Sequence, residues 1–494
     1  MRRRAARRGF VLYVMLITVT IGSLMAVSVV YAAQAQRSAA NAAARRVQSR
    51  AIAWSGLQAA MSELSRQRTE LLRGAEPTLP EDWTLFTESD GRRAVARIVV
   101  PEGGTLVTSE AGKLDVNTAA EGMLALMPGL DAETAKRLIA VREGRKFLSV
   151  HELGGVEGLR QAFAGSAEES VDVSASTDAF VPPEAVVSAR PLQELLTVFS
   201  FDPNVQAGLG RNAESHTGKR RIALGGKWSE RLGRAITERF DPNAATLVKS
   251  LMEQGTKFER ESDVVRVLRR FNVPPADWAE VLDAFCGDSS PYLLGRVDVG
   301  HADAEVLACV PGIDKAAAEQ VVLLRAKLPA EQRQSLVWLV QENILTADQF
   351  EQAVDHLTTR TLQWRIVIEG GFEEGEDEDG DAAAALTDRV VLEAVIDVAS
   401  ERPRIAYLRD ITMAGAARAL GPLRRDGSRE TREEPEESAV PETSPVVSSQ
   451  PSSDRPPEPP SPVAGADALP DGDGEDVAGA EEDPRLGRWT TGRQ

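Results

Sequence analysis

From Phe10 to Ala33 the chain carries no charged side chain, and five arginines (Arg2, Arg3, Arg4, Arg7 and Arg8) precede this run. About 20 apolar residues cross a bilayer as a helix, so the run is long enough to span one. The positive-inside rule keeps those arginines cytoplasmic and sends everything after Ala33 outward. "AQA" at Ala33 to Ala35 has the small residues of a secretory cleavage site. The apolar run, however, exceeds the roughly 7–15 residues of a signal sequence, so a retained membrane helix is the better reading. Helical character continues past the polar boundary. Gln34 to Leu72 contains no proline and one glycine, and is dominated by Ala, Gln, Arg, Leu and Glu, all strong helix formers. Val47, Ile52, Trp54, Leu57, Met61 and Leu64 are spaced for one apolar face. Gly74 and Pro77 end the pattern. A helix of about 60 residues is about 90 Å long.

The period then changes. "WTLFTE" (Trp83 to Glu88) and "RRAVARIVVPE" (Arg92 to Glu102) read as strands joined by the turn "SDG". "QWRIVIEG" (Gln363 to Gly370), "DRVVLEAVIDV" (Asp388 to Val398) and "RPRIAYLRDI" (Arg402 to Ile411) read the same way. Residues between the two sets read as helical, which predicts an α+β protein with a large all-α domain inserted into a small antiparallel sheet. The expected boundaries are a basic leader at 1–9, a transmembrane helix at 10–33 and its amphipathic continuation at 34–74. First strands follow at 78–110, the inserted domain at 111–361 and the remaining strands at 362–411.

The insert contains a repeat. Gly112 to Arg142 aligns with Gly295 to Arg325 without a gap, and eleven of the thirty-one positions are identical. Each copy starts extended, and Asn117 or Thr118 is placed to cap a first helix, with His301 at the matching cap of the second copy. That helix stops at Pro128-Gly129 or Pro311-Gly312, and Asp131 or Asp314 opens the next by capping its free N–H groups. Each copy is a helix-hairpin-helix unit. Lys146 to Leu159 reads as a packing helix, and Thr217 to Phe240 as a degenerate third unit without the Pro-Gly turn.

Charge and composition narrow the function. The net charge is −18, which argues against broad nucleic-acid binding. DNA-binding hairpins offer bare backbone amides to phosphate, whereas Asp131 and Asp314 place a carboxylate there. Two like charges 4 Å apart repel by about 4 kcal/mol at intermediate dielectric. The cysteines, Cys286 and Cys309, are too few for a disulfide scaffold or a multi-cysteine metal site. Cys309 reads as a buried thiol, and a bridge between the two stays open for an exported chain. "EEGEDEDGD" (Glu373 to Asp381) offers Glu376, Asp377, Asp379 and Asp381 as calcium candidates, without EF-hand spacing. The chain past Arg424 is rich in Pro, Ser, Glu, Asp and Gly, so a disordered acidic tail is expected at 424–494. The four histidines form no i,i+4 metal pair, and no nucleophile elbow, phosphate loop or dinucleotide fingerprint is present. No enzyme and no cofactor are expected.

A basic leader ending in Gly9, then Phe10, then a helix half in lipid and half amphipathic, resembles the type IV pilins and pseudopilins. The resemblance implies peptidase cleavage between Gly9 and Phe10, with methylation of the new terminus. Most members carry glutamate at the fifth mature position, where this chain has Val14. The usual exception is the K-type minor pseudopilin of type II secretion, whose members also insert helix-hairpin-helix units into the pilin strands. That resemblance covers roughly residues 1 to 411; the acidic tail and the long spacer between repeats depart from it. It implies a long helix on a pilin-like sheet, at the tip of a pseudopilus in the inner membrane. The N-terminus would be cytoplasmic and the bulk periplasmic. Prepilin peptidase and other minor pseudopilins would be the partners, and calcium the ion family members bind in their pilin part. Two alternatives are a membrane-anchored DNA-binding protein for uptake and a plain anchored scaffold without processing.

Overall fold

A computed structural model describes residues 5–89, 91–100, 105–159, 191–211, 213–373 and 386–413. One helix, α1, runs from Ala5 to Arg66, and a one-turn helix α2 (Arg68–Leu72) follows it. Gly74, at φ +78°, ends the path in the left-handed region that glycine accepts at little cost. α1 is long and apolar enough near its N-terminus to cross a membrane, and none of that apolar part is buried among the described residues. Its second half lies on a sheet.

The sheet contains β1 (Asp82–Thr87), β2 (Arg93–Ile98), β3 (Thr108–Ser109), β4 (Gln363–Glu373), β5 (Leu386–Asp397) and β6 (Arg404–Asp410). Its order is β1-β2-β4-β5-β6, antiparallel throughout, with β3 pairing the start of β4. Alternation along the strands sorts their side chains onto two faces. Ala94, Ala96, Trp364, Ile366, Ile368, Leu392, Ala394 and Ile396 join Ile52, Ala53, Leu57, Ala60 and Leu64 of α1 in one core. Each fully buried leucine there contributes about 2 kcal/mol. The helix comes very close: a Cβ on Gly56 would overlap Ala96, and one on Gly370 would overlap the Ala53 backbone. The other face carries a charge ladder, with Arg97 at 3.2 Å from Glu373 and Arg389 at 3.3 Å from Glu369.

The expected apolar stripe on α1 is corrected by this packing. Ile52, Leu57 and Leu64 face the sheet, but Val47 is 70% exposed and Trp54 43% exposed. Small residues (Ala53, Gly56 and Ala60) form much of the buried face, so the sheet-facing stripe is narrower than the spacing of large apolar residues predicts.

The insert leaves the sheet at β3 and returns at β4. Glu110 N–H donates to Gln363 O at 3.0 Å, so its two ends are hydrogen-bonded to each other. An insertion whose ends lie this close leaves the host sheet intact. The insert is not all-α. Three strand pairs inside it are parallel and two residues long: Leu114–Asp115 with Leu196–Thr197, Ile222–Ala223 with Phe285–Cys286, and Val297–Asp298 with Leu357–Thr358. Pattern reading missed them because two-residue pairings have no periodicity to detect.

Each pair closes one unit of helices. The first holds α3 (Glu121–Ala125) and α4 (Ala132–Gly144). The second holds α5 (Glu230–Arg239), α6 (Pro242–Glu253), α7 (Glu261–Arg270) and α8 (Trp278–Ala284). The third holds α9 (Ala304–Leu307), α10 (Lys315–Arg325) and α11 (Ala347–Ala353). The segment from Thr217 to Phe240 thus opens a unit of the same strand–helix–helix order, with Asp241 capping its second helix as Asp131 and Asp314 do theirs. The expected packing helix at 146–159 is only a 3₁₀ segment, Val150–Gly155.

Candidate functional site

Gly9 and Phe10 lie in the first turns of α1, and the Phe10 side chain is exposed. Val14 is likewise on α1 and exposed. The calcium candidates Glu376, Asp377, Asp379 and Asp381 and the tail at 424–494 lie outside the described residues. Among the described residues no group of three His, Cys, Asp or Glu side chains is placed to hold a metal ion.

The two hairpins are built alike. Gly129 has φ +81° and Gly312 φ +85°, so each turn needs glycine. Asp131 Oδ1 accepts from Thr134 N at 2.7 Å and Asp314 Oδ1 from Ala317 N at 2.8 Å. The bond to Thr134 holds the Asp131 carboxyl below its ordinary range. A helix N-terminus attracts anions through its free N–H groups. Here the chain's own carboxylates already occupy those positions. Arg142 Nη1 donates to Val116 O and Ala119 O at 2.8 and 2.7 Å, and Arg325 Nη1 to Val299 O and Ala302 O at 3.0 and 2.5 Å. Asp115 accepts from Asn117 N, and Asp298 from Gly300 N, both at 2.8 Å.

The first-helix caps differ from expectation. Ala120 and Asp303 hold the N-cap positions, and neither side chain makes the capping bond. Asn117 instead spans a loop, accepting from Phe147 N and donating to Phe147 O. His301 bridges two carboxylates, with Nδ1 at 2.7 Å from Asp298 and Nε2 at 3.0 Å from Glu76. Burial disfavours its charge, but Asp298 and then Glu76 push its pKa up to about 10.

The copies also touch each other reciprocally. A Cβ on Gly295 would overlap Thr118 Oγ1, and a Cβ on Gly112 would meet the His301 Cβ at 3.1 Å. Gly112 matches Gly295 and Thr118 matches His301 in the repeat. The first position of each copy therefore packs on the seventh of the other, as in an approximate two-fold pair. Beyond this interface the environments part. The first hairpin is exposed at Pro128 and Gly129, whereas a Cβ on Gly312 would overlap the Gln349 carbonyl of α11.

A buried cluster around Glu110 fixes the insert to the sheet. Glu110 sits between Arg365 Nε at 2.6 Å and Lys113 Nζ at 3.1 Å, with a bond from Thr197. Burial alone would raise its pKa; Arg365 and Lys113 hold it at about 2. Arg365 also pairs with Glu393 at 2.5 Å. Within the insert Arg360 joins Asp202 at 2.7 Å, and within the sheet Arg404 joins Asp397 at 2.7 Å. Sequence reading missed these clusters. Gly112, Gly295, Arg142 and Arg325 were visible as identities between repeats, but Glu110 lies outside the repeat and carries no pattern. Cys286 and Cys309 are both free and buried, and burial pushes the Cys309 thiol up to about 12.

No known protein family and no curated protein sequence matches the chain.

Proposed function

We propose that the chain is a K-type minor pseudopilin, a single-pass inner-membrane subunit that caps or initiates a short periplasmic pseudopilus driving protein export. The observation that carries this reading is α1: one unbroken helix with an apolar, unpacked first half and a second half laid on an antiparallel sheet. Prepilin peptidase would cut between Gly9 and Phe10, and the chain itself would make or break no bond. The insert supports a terminal place. Arg73 reaches Thr217 at 3.2 Å and Glu76 reaches His301, so the helices of the insert sit at the membrane-distal end of α1. A subunit stacked above would meet them. A tip subunit also has no earlier neighbour whose N-terminus needs the fifth-position carboxylate, in accord with Val14.

The hairpins fit packing within the protein better than DNA binding, because Asp131 and Asp314 take the donors phosphate would use. Deleting the gene in its host should abolish export of the secreted proteins while their synthesis continues. Undiminished export would overturn the proposal.

A further inference from the structure

The three units of the insert share an order of elements but not a charge. The first repeat, 112–142, has four cationic and four anionic side chains. The third, 295–325, has three against five. The opening of the middle unit, 217–240, has seven against two, in a chain whose net charge is −18. Four of those seven cations are engaged inside the chain. Arg221 pairs with Glu261, Arg239 with Glu280 and Lys219 with Glu238, and Arg220 donates to Ser289 O. The other three, Lys227, Arg231 and Arg234, are exposed, and among the described residues none has an acidic partner.

Arg231 and Arg234, three residues apart, share one side of α5, and Lys227 lies in the non-helical chain just before its N-cap Ser229. Trp228, half-buried, lies beside them, and its ring is held against Gly233, where a Cβ would come within 2.9 Å. The result is an exposed cationic strip at the start of α5 with a packed aromatic side chain beside it.

We infer that this strip is a docking surface for an acidic protein segment. Charge complementarity selects an anion, and position selects which kind. The soluble part of α1 is about 50 Å long at 1.5 Å per residue, and Thr217 is tied to its far end by Arg73. Lipid headgroups are therefore out of reach; that step rests on the membrane reading above. A nucleic-acid duplex is a long anion that would run past the strip onto the neighbouring units, whose repeats are neutral or acidic. A short acidic segment meets only the strip.

The test uses the full chain in detergent micelles and a fluorescent poly-glutamate peptide. Saturable binding is expected, weakening as salt rises from about 50 to about 300 mM because exposed charges are screened. The combined variant Lys227→Gln, Arg231→Gln, Arg234→Gln should lose about tenfold or more in affinity, since mutating such charges acts on complementarity. The variant Arg37→Gln, Arg45→Gln on α1 should bind as the parent does. Equal binding by parent and strip variant would overturn the inference, as would tighter binding of short duplex DNA lost in the same variant. Peptide binding does not depend on N-terminal cleavage, so this failure is separable from failure of the pseudopilin reading.

Discussion

The two copies of the repeat agree in their interiors and differ in what surrounds them. Asp115 and Asp298, Asp131 and Asp314, and Arg142 and Arg325 make matching bonds at matching positions. The first hairpin, however, is exposed, and the second is packed against α11. His301 of the second copy bridges two carboxylates, while Thr118, its counterpart, packs on Gly295. Duplication thus preserved the bonds that hold a helix pair together and left the outward contacts to diverge. A shared ligand would require the two hairpins to stay alike on the outside.

The largest effect should come from the interface between copies. Gly295→Ala combines a left-handed backbone with overlap on Thr118, and should destabilise by about 3 kcal/mol from overpacking plus strain. Gly112→Ala, with ordinary φ and a milder contact, should cost about 1 kcal/mol. Urea unfolding of the two variants measures the gap; equal costs would break the reciprocal packing. Next comes the hairpin pair. Gly129→Ala should cost about 1 kcal/mol for φ alone, and Gly312→Ala about 2 kcal/mol more because it meets the Gln349 carbonyl. Equal losses would mean that the second hairpin is as open as the first. The inner arginines should behave as equals: Arg142→Gln and Arg325→Gln should each cost about 1–2 kcal/mol, one or two charge-assisted bonds to carbonyls.

The pH response should separate the copies. His301 has its pKa raised from about 6.5 to about 10 by folding. Its stabilising contribution is complete below pH 6.5 and is lost as pH rises through 10. His301→Gln should flatten that alkaline limb, read by thermal unfolding across pH, whereas Thr118→Val should leave its slope unchanged. At the acid end Glu110, held at about 2, contributes fully above pH 4.5 and loses its contribution as pH falls through 2. Glu110→Gln should flatten that limb. The smallest effect is Asp314→Ala, about 1 kcal/mol for a lost cap.

Much of this architecture was legible in the chain because it repeats or alternates. The uncharged run from Phe10 to Ala33, the period-two strands and the aligned repeats each carry their own signal. Asp131 and Asp314 were legible as caps because Pro-Gly precedes them. Asn117 and His301 were misread because long-range partners, Phe147 for one and Asp298 and Glu76 for the other, took side chains that local rules assign to helix starts. Trp54 was misread because size was weighted over the close approach that Gly56 and Gly370 permit. The clusters around Glu110 and Arg360 join residues far apart in sequence, and no local pattern announces them.

The proposed pseudopilin role requires the mature protein to begin at Phe10. Intact-mass and N-terminal peptide mass spectrometry on the chain purified from its own membranes measures this directly. Loss of Met1 to Gly9 and a methylated Phe10 is the expected result. An intact Met1, or a chain starting at Gln36, would contradict it.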